Sequence, residues 1–325
     1  MAPVVRLAFQ ECEAPMKRIL FIWPGLTGYM GDCWRTLQTR ATVKILIDGK
    51  GLGENFTDDV MQGLDWERVT EEEVVEKIKT FAPDALVVVG WRGPVSRRVV
   101  FSSTLDGIPK FLVMDLPWRW SLRCLAARFV LGRYLRRFRG VFVHGEPSAR
   151  YARVLGFDEN QIHRHCICGI DLNKWRPSAA PSERKDFLFV GRKVREKGID
   201  TLKAAFEIYQ KSGGRWSLTM PAWIDPNEVP QMMQNHACLV LPSRWEPWGV
   251  VVAEAKAAGM KVIVSDRVNA RFDLSCDWVV RAGEVKALAE AMRRMETSAS
   301  PSADDLSFWS CASWADRVCG AIGIG

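Results

Sequence analysis

Two glutamates eight residues apart, Glu246 and Glu254, close the stretch PSRWEPWGVVVAE, which begins at Pro242. Gly249 lies between them, where a loop turns into a helix carrying Val250, Val251, Val252, Ala253 and Glu254. The first turn of a helix has N–H groups without intrahelical partners. Together with the positive end of the helix dipole they make a cradle for a phosphate. Glu246 stands just before that helix start and Glu254 just over one turn inside it. The two carboxylates bracket the anion, each placed to accept hydrogen bonds from hydroxyls on either side. A nucleotide-sugar has that layout: sugar hydroxyls, diphosphate, ribose hydroxyls.

A second cluster, GRKVREKG from Gly191 to Gly198, follows the apolar run FLFV. It places Arg192 and Lys197 on a strand-to-helix loop, at the carboxyl end of a strand, where open α/β sheets bind ligands. Both suit the charge of a departing diphosphate, Arg192 through a two-pronged guanidinium and Lys197 as a point charge.

The elements that must hold these residues follow from pattern. The runs 17–24, 42–47, 84–89, 111–114 and 140–144 are short, apolar and non-alternating, as strands buried on both faces are. A charged surface helix fits 71–80, and a glycine-bearing turn after Pro24 leads into another helix. Residues 176–186, RPSAAPSERKD, have two prolines and no periodicity and read as a linker. The pattern then restarts, with strands at 187–190, 216–220, 237–241 and 262–265 and helices at 198–210, 249–258, 285–295 and 307–321. Strands separated by helices indicate parallel sheets covered on both sides. The expected organisation is an N-terminal domain over 1–175, with 1–15 as an extension ahead of the first strand. A linker (176–186), a second domain (187–300) and a C-terminal helical segment (301–325) complete it.

With those motifs in that order, the sequence resembles the retaining GT-B glycosyltransferases of the large family-4 type. Their E-x7-E signature, preceded by a strand ending in Pro-Ser, stands here as Pro242-Ser243-Arg244-Trp245-Glu246-Pro247-Trp248-Gly249 through Glu254. The family's G-R-x-x-x-x-K-G stands as Gly191-Arg192 to Lys197-Gly198. Gly169-Ile170-Asp171, followed by Trp175 and Pro177, is similar to its N-G-[VI]-D stretch. The likeness covers about 165–320 well and the N-terminal half in outline. It implies two Rossmann-like parallel-sheet domains facing a cleft, the C-terminal helix packing back on the first, and a hexosyltransferase-type enzyme of the EC 2.4 class.

By the same resemblance, Glu246 binds the donor sugar and Glu254 the ribose. The N–H groups near Trp248, Gly249, Val250 and Val251 hold sugar and diphosphate, while Arg192 and Lys197 stabilise the leaving phosphate. Gly28 and Gly31 face the diphosphate across the cleft. The donor is a UDP- or GDP-sugar and no metal is required. There is no enzyme nucleophile; the leaving phosphate assists deprotonation of the acceptor. The acceptor is a glycan or a lipid-linked sugar, as in polysaccharide or lipopolysaccharide biosynthesis. The sequence departs from the family in four places, one being the absence of the glycine-rich strand end expected after the helix 199–210. Met114 and Asp115 replace the usual histidine of the first domain, which makes Asp115 a candidate acceptor or sugar contact. Cys168 stands for the asparagine of N-G-[VI]-D. The segment between Gly198 and Pro242 is short by about one strand-helix unit. The same fold also serves phosphorylases and nucleotide-sugar epimerases. The former need a cofactor lysine that has no counterpart here, and the latter lack the E-x7-E pair.

The chain of 325 residues has a net charge of +7, with ordinary apolar (48%) and charged (26%) fractions for a globular protein of about two domains. The charge is local: residues 110–153 hold ten basic residues against Asp115 and Glu146, an excess above that of the whole chain. A local patch points to an anionic partner. Within it, 118–139 mixes arginines with Trp118, Trp120 and aliphatic residues at roughly helical spacing. It suits an amphipathic helix on an anionic membrane surface, or a helix covering the sheet with snorkelling arginines. The alternative reading of the whole chain is a nucleic-acid-binding protein, or a transferase that glycosylates nucleic acid, using patch 110–153.

No stretch offers 18 uncharged apolar residues, so no membrane-spanning helix is expected. The odd count of nine cysteines suggests a reduced, cytoplasmic compartment, and the basic segment 118–139 would attach the protein peripherally to the inner membrane face. The run His163-Arg164-His165-Cys166-Ile167-Cys168 has ligand types for zinc. On an extended strand its histidines and its two cysteines face opposite sides, so no metal site is expected. His144, ending a strand, reads as an interior histidine, and Trp248 as a ring near the donor.

Overall fold

The computed structural model describes residues 16–25, 28–48, 58–177, 184–222, 224–298 and 304–324. The proposed extension 1–15 and most of the linker lie outside them. Two parallel sheets organise the chain. In the first domain the order is β1 (Arg18–Trp23), α1 (Gly28–Leu37), β2 (Thr42–Asp48), β3 (Asp65–Val69), α2 (Val74–Phe81), β4 (Ala85–Val89) and α3 (Pro94–Phe101). It continues with β5 (Lys110–Val113), α4 (Leu122–Leu135), β6 (Gly140–Val143), α5 (Glu146–Leu155) and β7 (Ile162–Arg164). The strands lie in the order β3-β2-β1-β4-β5-β6-β7, and each of these neighbours pairs parallel.

The second domain comprises β8 (Lys185–Leu188), α6 (Ile199–Lys211), β9 (Leu218–Thr219), α7 (Val229–Asn235) and β10 (His236–Leu241). After these come α8 (Val250–Ala257), β11 (Lys261–Ser265), β12 (Trp278–Val280) and α9 (Val285–Thr297), and α10 (Cys311–Ile322) ends the described chain. The sheet order is β12-β11-β10-β8-β9. Between α6 and β10 the described residues make the two-residue β9 and the seven-residue α7, in keeping with the shortness of that segment.

Alternation along each strand supplies two buried faces. In β1, Ile19, Phe21 and Trp23 point towards Trp34 and Met30 of α1, while Leu20 and Ile22 join Val74, Ile78 and Val99 on the opposite side. The first of these cores is continuous with that of the second domain. α10 makes the connection. Its Trp314 donates from Nε1 to the carbonyl of Cys166 (3.0 Å), and Arg40 reaches the carbonyl of Ala312 and the carboxylate of Asp316. The C-terminal helix thus packs back on the first domain, capped at its start by Ser310.

Three sequence expectations are corrected. The second domain opens two residues inside the stretch read as linker: Lys185 begins β8, and the buried Arg184 donates to the carbonyls of Ala258 (2.8 Å) and Gly259 (2.7 Å). The helix expected within 118–139 starts only at Leu122, because Ser121 caps it by accepting from the Cys124 N–H, and residues 114–121 form a loop. β7 stops at Arg164 and His165 takes a positive φ of 58°, so the two-sided alternation assumed for 163–168 ends there.

Candidate active site

In the second sheet the chain goes from β8 outward to β9 and then returns to lay β10 on the other side of β8. The strand order reverses between β8 and β10, the place where open α/β sheets bind ligands beyond their carboxyl ends. The loops leaving those two strands carry the two motifs. Gly198 joins them: a Cβ there would lie 2.2 Å from the carbonyl oxygen of Pro242, and its φ of +68° favours glycine. Arg244 fastens the loops from the other side. Its guanidinium donates twice to the carboxylate of Asp200 (2.7 Å each), and its N–H donates to the carbonyl of Glu196 (2.7 Å).

This approach pairs Lys197 with Glu246: the ammonium donates to Oε2 of the carboxylate, with both side chains mostly buried. Ser243 Oγ donates to the same oxygen at 3.3 Å. The backbone around Glu246 is clamped by the loop after β11. The Glu246 N–H donates to the carbonyl of Arg267 (3.2 Å), and Asn269 Nδ2 donates to the carbonyls of Glu246 (3.1 Å) and Pro247 (3.0 Å). Arg192 is exposed, and among the described residues its guanidinium has no carboxylate partner. Gly249 occupies the N-cap of α8 and offers no side chain to accept from the first turn, so the N–H groups of Val250 and Val251 stay available to a ligand.

Glu254 projects toward the first domain. Burial pushes its carboxyl up to about 7; Lys174 opposes and Asp32 reinforces that shift. Lys174 and Asp32 face each other at 3.7 Å. Neither was singled out in the sequence, because nothing in its pattern says that the start of α1 and the stretch after β7 meet α8. Asp115, on the loop after β5, is raised by desolvation and, more weakly, by the charge of Glu246. The first domain therefore presents a carboxyl towards the one that ends the Pro-Ser loop.

Two expected site residues take other positions. The Trp248 ring is buried. Its plane lies parallel to that of His144 at 4.8 Å and tilted to that of Trp309 at 4.9 Å, and its Nε1 donates to Asp273 Oδ2 (2.7 Å). It joins the two domains, leaving only its backbone for a donor. Gly31 is buried in α1, where a Cβ would stand 2.4 Å from the carbonyl oxygen of Val60. Close packing on the turn 58–61 accounts for that glycine. Gly28 is the first residue of α1, beyond the carboxyl end of β1. His144 is buried as expected, and burial pulls it down to about 3, so its imidazole is neutral. His165 packs edge-on against Trp309 and Phe308. Among the described residues no group of three or more His, Cys, Asp or Glu is placed to hold a metal ion.

The basic patch is also redistributed. Lys110 is buried and donates to the carbonyls of Leu105 and Ile108, Arg137 pairs with Asp106, and Arg153 pairs with Glu146 and Glu159. What remains lies around α4, a 14-residue helix that buries only Tyr134 and Leu135. Its Leu122 (85%), Phe129 (84%) and Val130 (79%) are exposed, as is the preceding Trp120 (82%). Arg123, Arg128 and Arg133 are exposed beside them. No helix among the described residues is long and apolar enough to cross a membrane.

Residues 217–307 match the model of the family described as glycosyl transferases group 1. A curated relative, the N,N'-diacetylbacillosaminyl-diphospho-undecaprenol alpha-1,3-N-acetylgalactosaminyltransferase of Campylobacter jejuni, is 28% identical over 157 residues, 39% of this chain and 42% of the relative. The chain spans less than half the length of the curated relatives it matches. Among solved structures, the Anabaena protein HepE in complex with UDP and glucose superposes with a TM-score of 0.66 at 14% identity, over 95% of this chain and 97% of the other. The lipopolysaccharide outer core galactosyltransferase WaaB superposes with a TM-score of 0.65 at 12% identity, over 94% and 99%.

Proposed function

We propose that this chain, whose residues 217–307 match the glycosyl transferases group 1 family and whose two parallel-sheet domains form a GT-B frame, transfers a sugar from a nucleotide-diphosphate sugar to a glycan or lipid-linked acceptor with retention of configuration. The observation that carries the reading is the Lys197–Glu246 pair, set at the strand reversal beside the uncapped start of α8. A diphosphate on that helix start places its sugar at Glu246 and its ribose at Glu254. As the bond from the sugar to the phosphate breaks, charge collects on the phosphate oxygen. The N–H groups of residues 249–251, Arg192 and Lys197 meet it where it develops. The acceptor hydroxyl attacks from the face the phosphate leaves and gives its proton to the phosphate. Asp115, whose carboxyl feels the charge of Glu246, is the first-domain group placed for the acceptor or the sugar. With helix start, guanidinium and ammonium balancing the diphosphate, transfer should continue in EDTA; its loss in EDTA and restoration by Mg²⁺ would overturn the mechanism.

UDP is the first nucleotide to try, because HepE is described in complex with UDP and glucose. A thermal-shift screen against UDP, GDP, ADP and their sugars tests the donor. At 100 times its dissociation constant a ligand adds about 2.7 kcal/mol of stability. No shift from any of them would remove the reading.

For the acceptor side, the exposed Trp120, Leu122, Phe129 and Val130, among arginines with no carboxylate partner in the described residues, favour an anionic bilayer over a nucleic acid. Peripheral attachment at the inner face of the membrane is the placement that follows.

A further inference from the structure

Beside Glu246, but apart from the donor cradle, a cavity of about 400 Å³ is lined by Arg119, Arg244, Trp245 and Arg267. Three arginines line one space, and one of them comes from the first domain. None of Arg192, Lys197, Gly249, Val250, Val251 or Glu254 lines it. Each arginine is held differently. The Arg119 guanidinium lies over the Trp245 ring, 4.5 Å from its centroid, and has no carboxylate partner among the described residues. Arg244 is neutralised by Asp200, with its fork fully used on that carboxylate, Thr201 and the carbonyl of Arg195. Arg267 has only a loose approach of 3.8 Å to Asp266, whose Oδ1 already accepts from the Ala282 N–H at 2.9 Å. Two positive charges are therefore left largely uncompensated around a cavity.

The cavity is tied to the reaction centre through the backbone. Trp245 is the residue before Glu246, and the carbonyl of Arg267 accepts from the Glu246 N–H. Arg119 lies on the same loop as Asp115, and next to it in sequence are Trp120 and then Leu122, the start of the exposed apolar stripe of α4. A molecule whose hydroxyl reaches Asp115 and Glu246 would have its anionic part at this cavity.

Resting on the proposed function above, we propose that Arg119, Trp245 and Arg267 form an acceptor subsite for a phosphate or diphosphate group, so that the acceptor is a phosphorylated sugar. Two unneutralised guanidinium groups suit the several oxygens of a phosphate ester better than a neutral glycan, which would leave both charges without a partner. The phosphate could join the sugar to a lipid or be a monoester on a glycan; its recognition at the cavity is the same.

The test is calorimetric titration of inorganic pyrophosphate into the full chain saturated with UDP, so that the donor cradle is occupied. The wild type should bind, and Arg119→Glu and Arg267→Glu should each weaken that binding at least tenfold. UDP titrated separately into the same variants should keep its wild-type affinity. Equal pyrophosphate binding by wild type and variants, or none to the wild type, would overturn the subsite. If UDP itself fails to bind the wild type, the donor reading falls, and the pyrophosphate titration on the protein without nucleotide still decides the subsite. Arg119→Lys and Arg267→Lys guard against misfolding: they keep the charges and should retain most of the binding. Two further probes separate the sources. Tighter binding of farnesyl diphosphate than of pyrophosphate, lost in Phe129→Glu, assigns the phosphate to a lipid-linked acceptor; tighter binding of glucose 6-phosphate assigns it to a glycan.

Discussion

The imidazole of His144, at the end of β6, lies flat on the indole of Trp248, with the two planes within 1° of each other. One ring belongs to each domain, and the residue after Trp248 opens α8. The contact therefore sets where the start of α8 stands relative to the first domain. A neutral imidazole stacks against an aromatic face without bringing in a buried charge, and burial keeps His144 neutral down to about 3.

That pairing predicts acid sensitivity. In the unfolded chain His144 takes up a proton near its ordinary value of about 6.5, whereas in the folded protein it resists until about 3. The unfolded state thus binds more protons between those values, and stability falls as pH drops through that window. His144→Phe keeps a ring on Trp248 and removes the titration. Urea melts from pH 7 to 4 should show a shallower loss for the variant than for the wild type; parallel curves would contradict the assignment.

Glu254 gives the opposite sign in another window. Its carboxyl is raised from 4.5 to about 7, so the folded protein holds a proton that the unfolded chain has released. The stabilising contribution is present below about 4.5 and is lost as pH rises through 7. Relative to Glu254→Gln, the wild type without nucleotide should lose melting temperature between pH 5 and 8. At pH 8 the same variant should bind UDP more weakly than the wild type, since the ribose loses an ionised acceptor.

Lys197 and Arg192 should separate stability from turnover. Lys197→Met leaves the mostly buried Glu246 carboxylate without its cation, a change that costs about 3 kcal/mol when a buried pair is broken. Arg192 is exposed, and Arg192→Ala should stay within about 0.5 kcal/mol of the wild type in denaturant melts. Both variants should lose transfer rate by about 2–4 kcal/mol in activation free energy, as removal of a preorganised charge partner does. Wild-type turnover in both would sink the donor assignment.

Gly198→Ala should do more than its size suggests. The new methyl group meets the Pro242 carbonyl at 2.2 Å and requires a left-handed backbone, a strain of about 1–3 kcal/mol before the loops move. Because the same approach sets the Lys197–Glu246 pair, nucleotide-induced thermal shifts should shrink as well. A variant as stable as the wild type, with normal shifts, would show that the loops tolerate separation.

The membrane reading turns on α4. Flotation with vesicles containing anionic lipid should carry the wild type upward and leave behind Arg123→Glu/Arg128→Glu/Arg133→Glu. Each Lys or Arg near such a surface contributes about 1 kcal/mol. Leu122→Glu/Phe129→Glu should also release the protein while its UDP-induced thermal shift stays unchanged. Persistent flotation of both variants would leave the exposed stripe for another partner.

The alternation of strands and helices and the two loop motifs were legible in the residues, because each is a local matter, whereas the return of the C-terminal helix was implied only by the family resemblance. Periodicity decides which face of an element is buried. A glycine before a valine run decides where α8 starts, and Arg192 and Lys197 decide the sign of the charge on the loop after β8. What the fold alone decided lies between segments far apart in the chain. The sequence did not say that Gly31 packs against Val60 instead of facing the cleft, that Trp248 lies on His144, or that Lys174 and Asp32 come up to Glu254. It marked 118–139 as basic and amphipathic, but only the packing of α4 on its neighbours left Leu122, Phe129 and Val130 exposed while burying Lys110 elsewhere in the patch. Local patterns follow from bonds and hydrogen bonds along a few residues. The meeting of Arg119 with Trp245, or of His144 with Trp248, depends on how two separately built sheets are set against each other, which is fixed by the whole of the shared core around Trp309, Trp314 and Trp248.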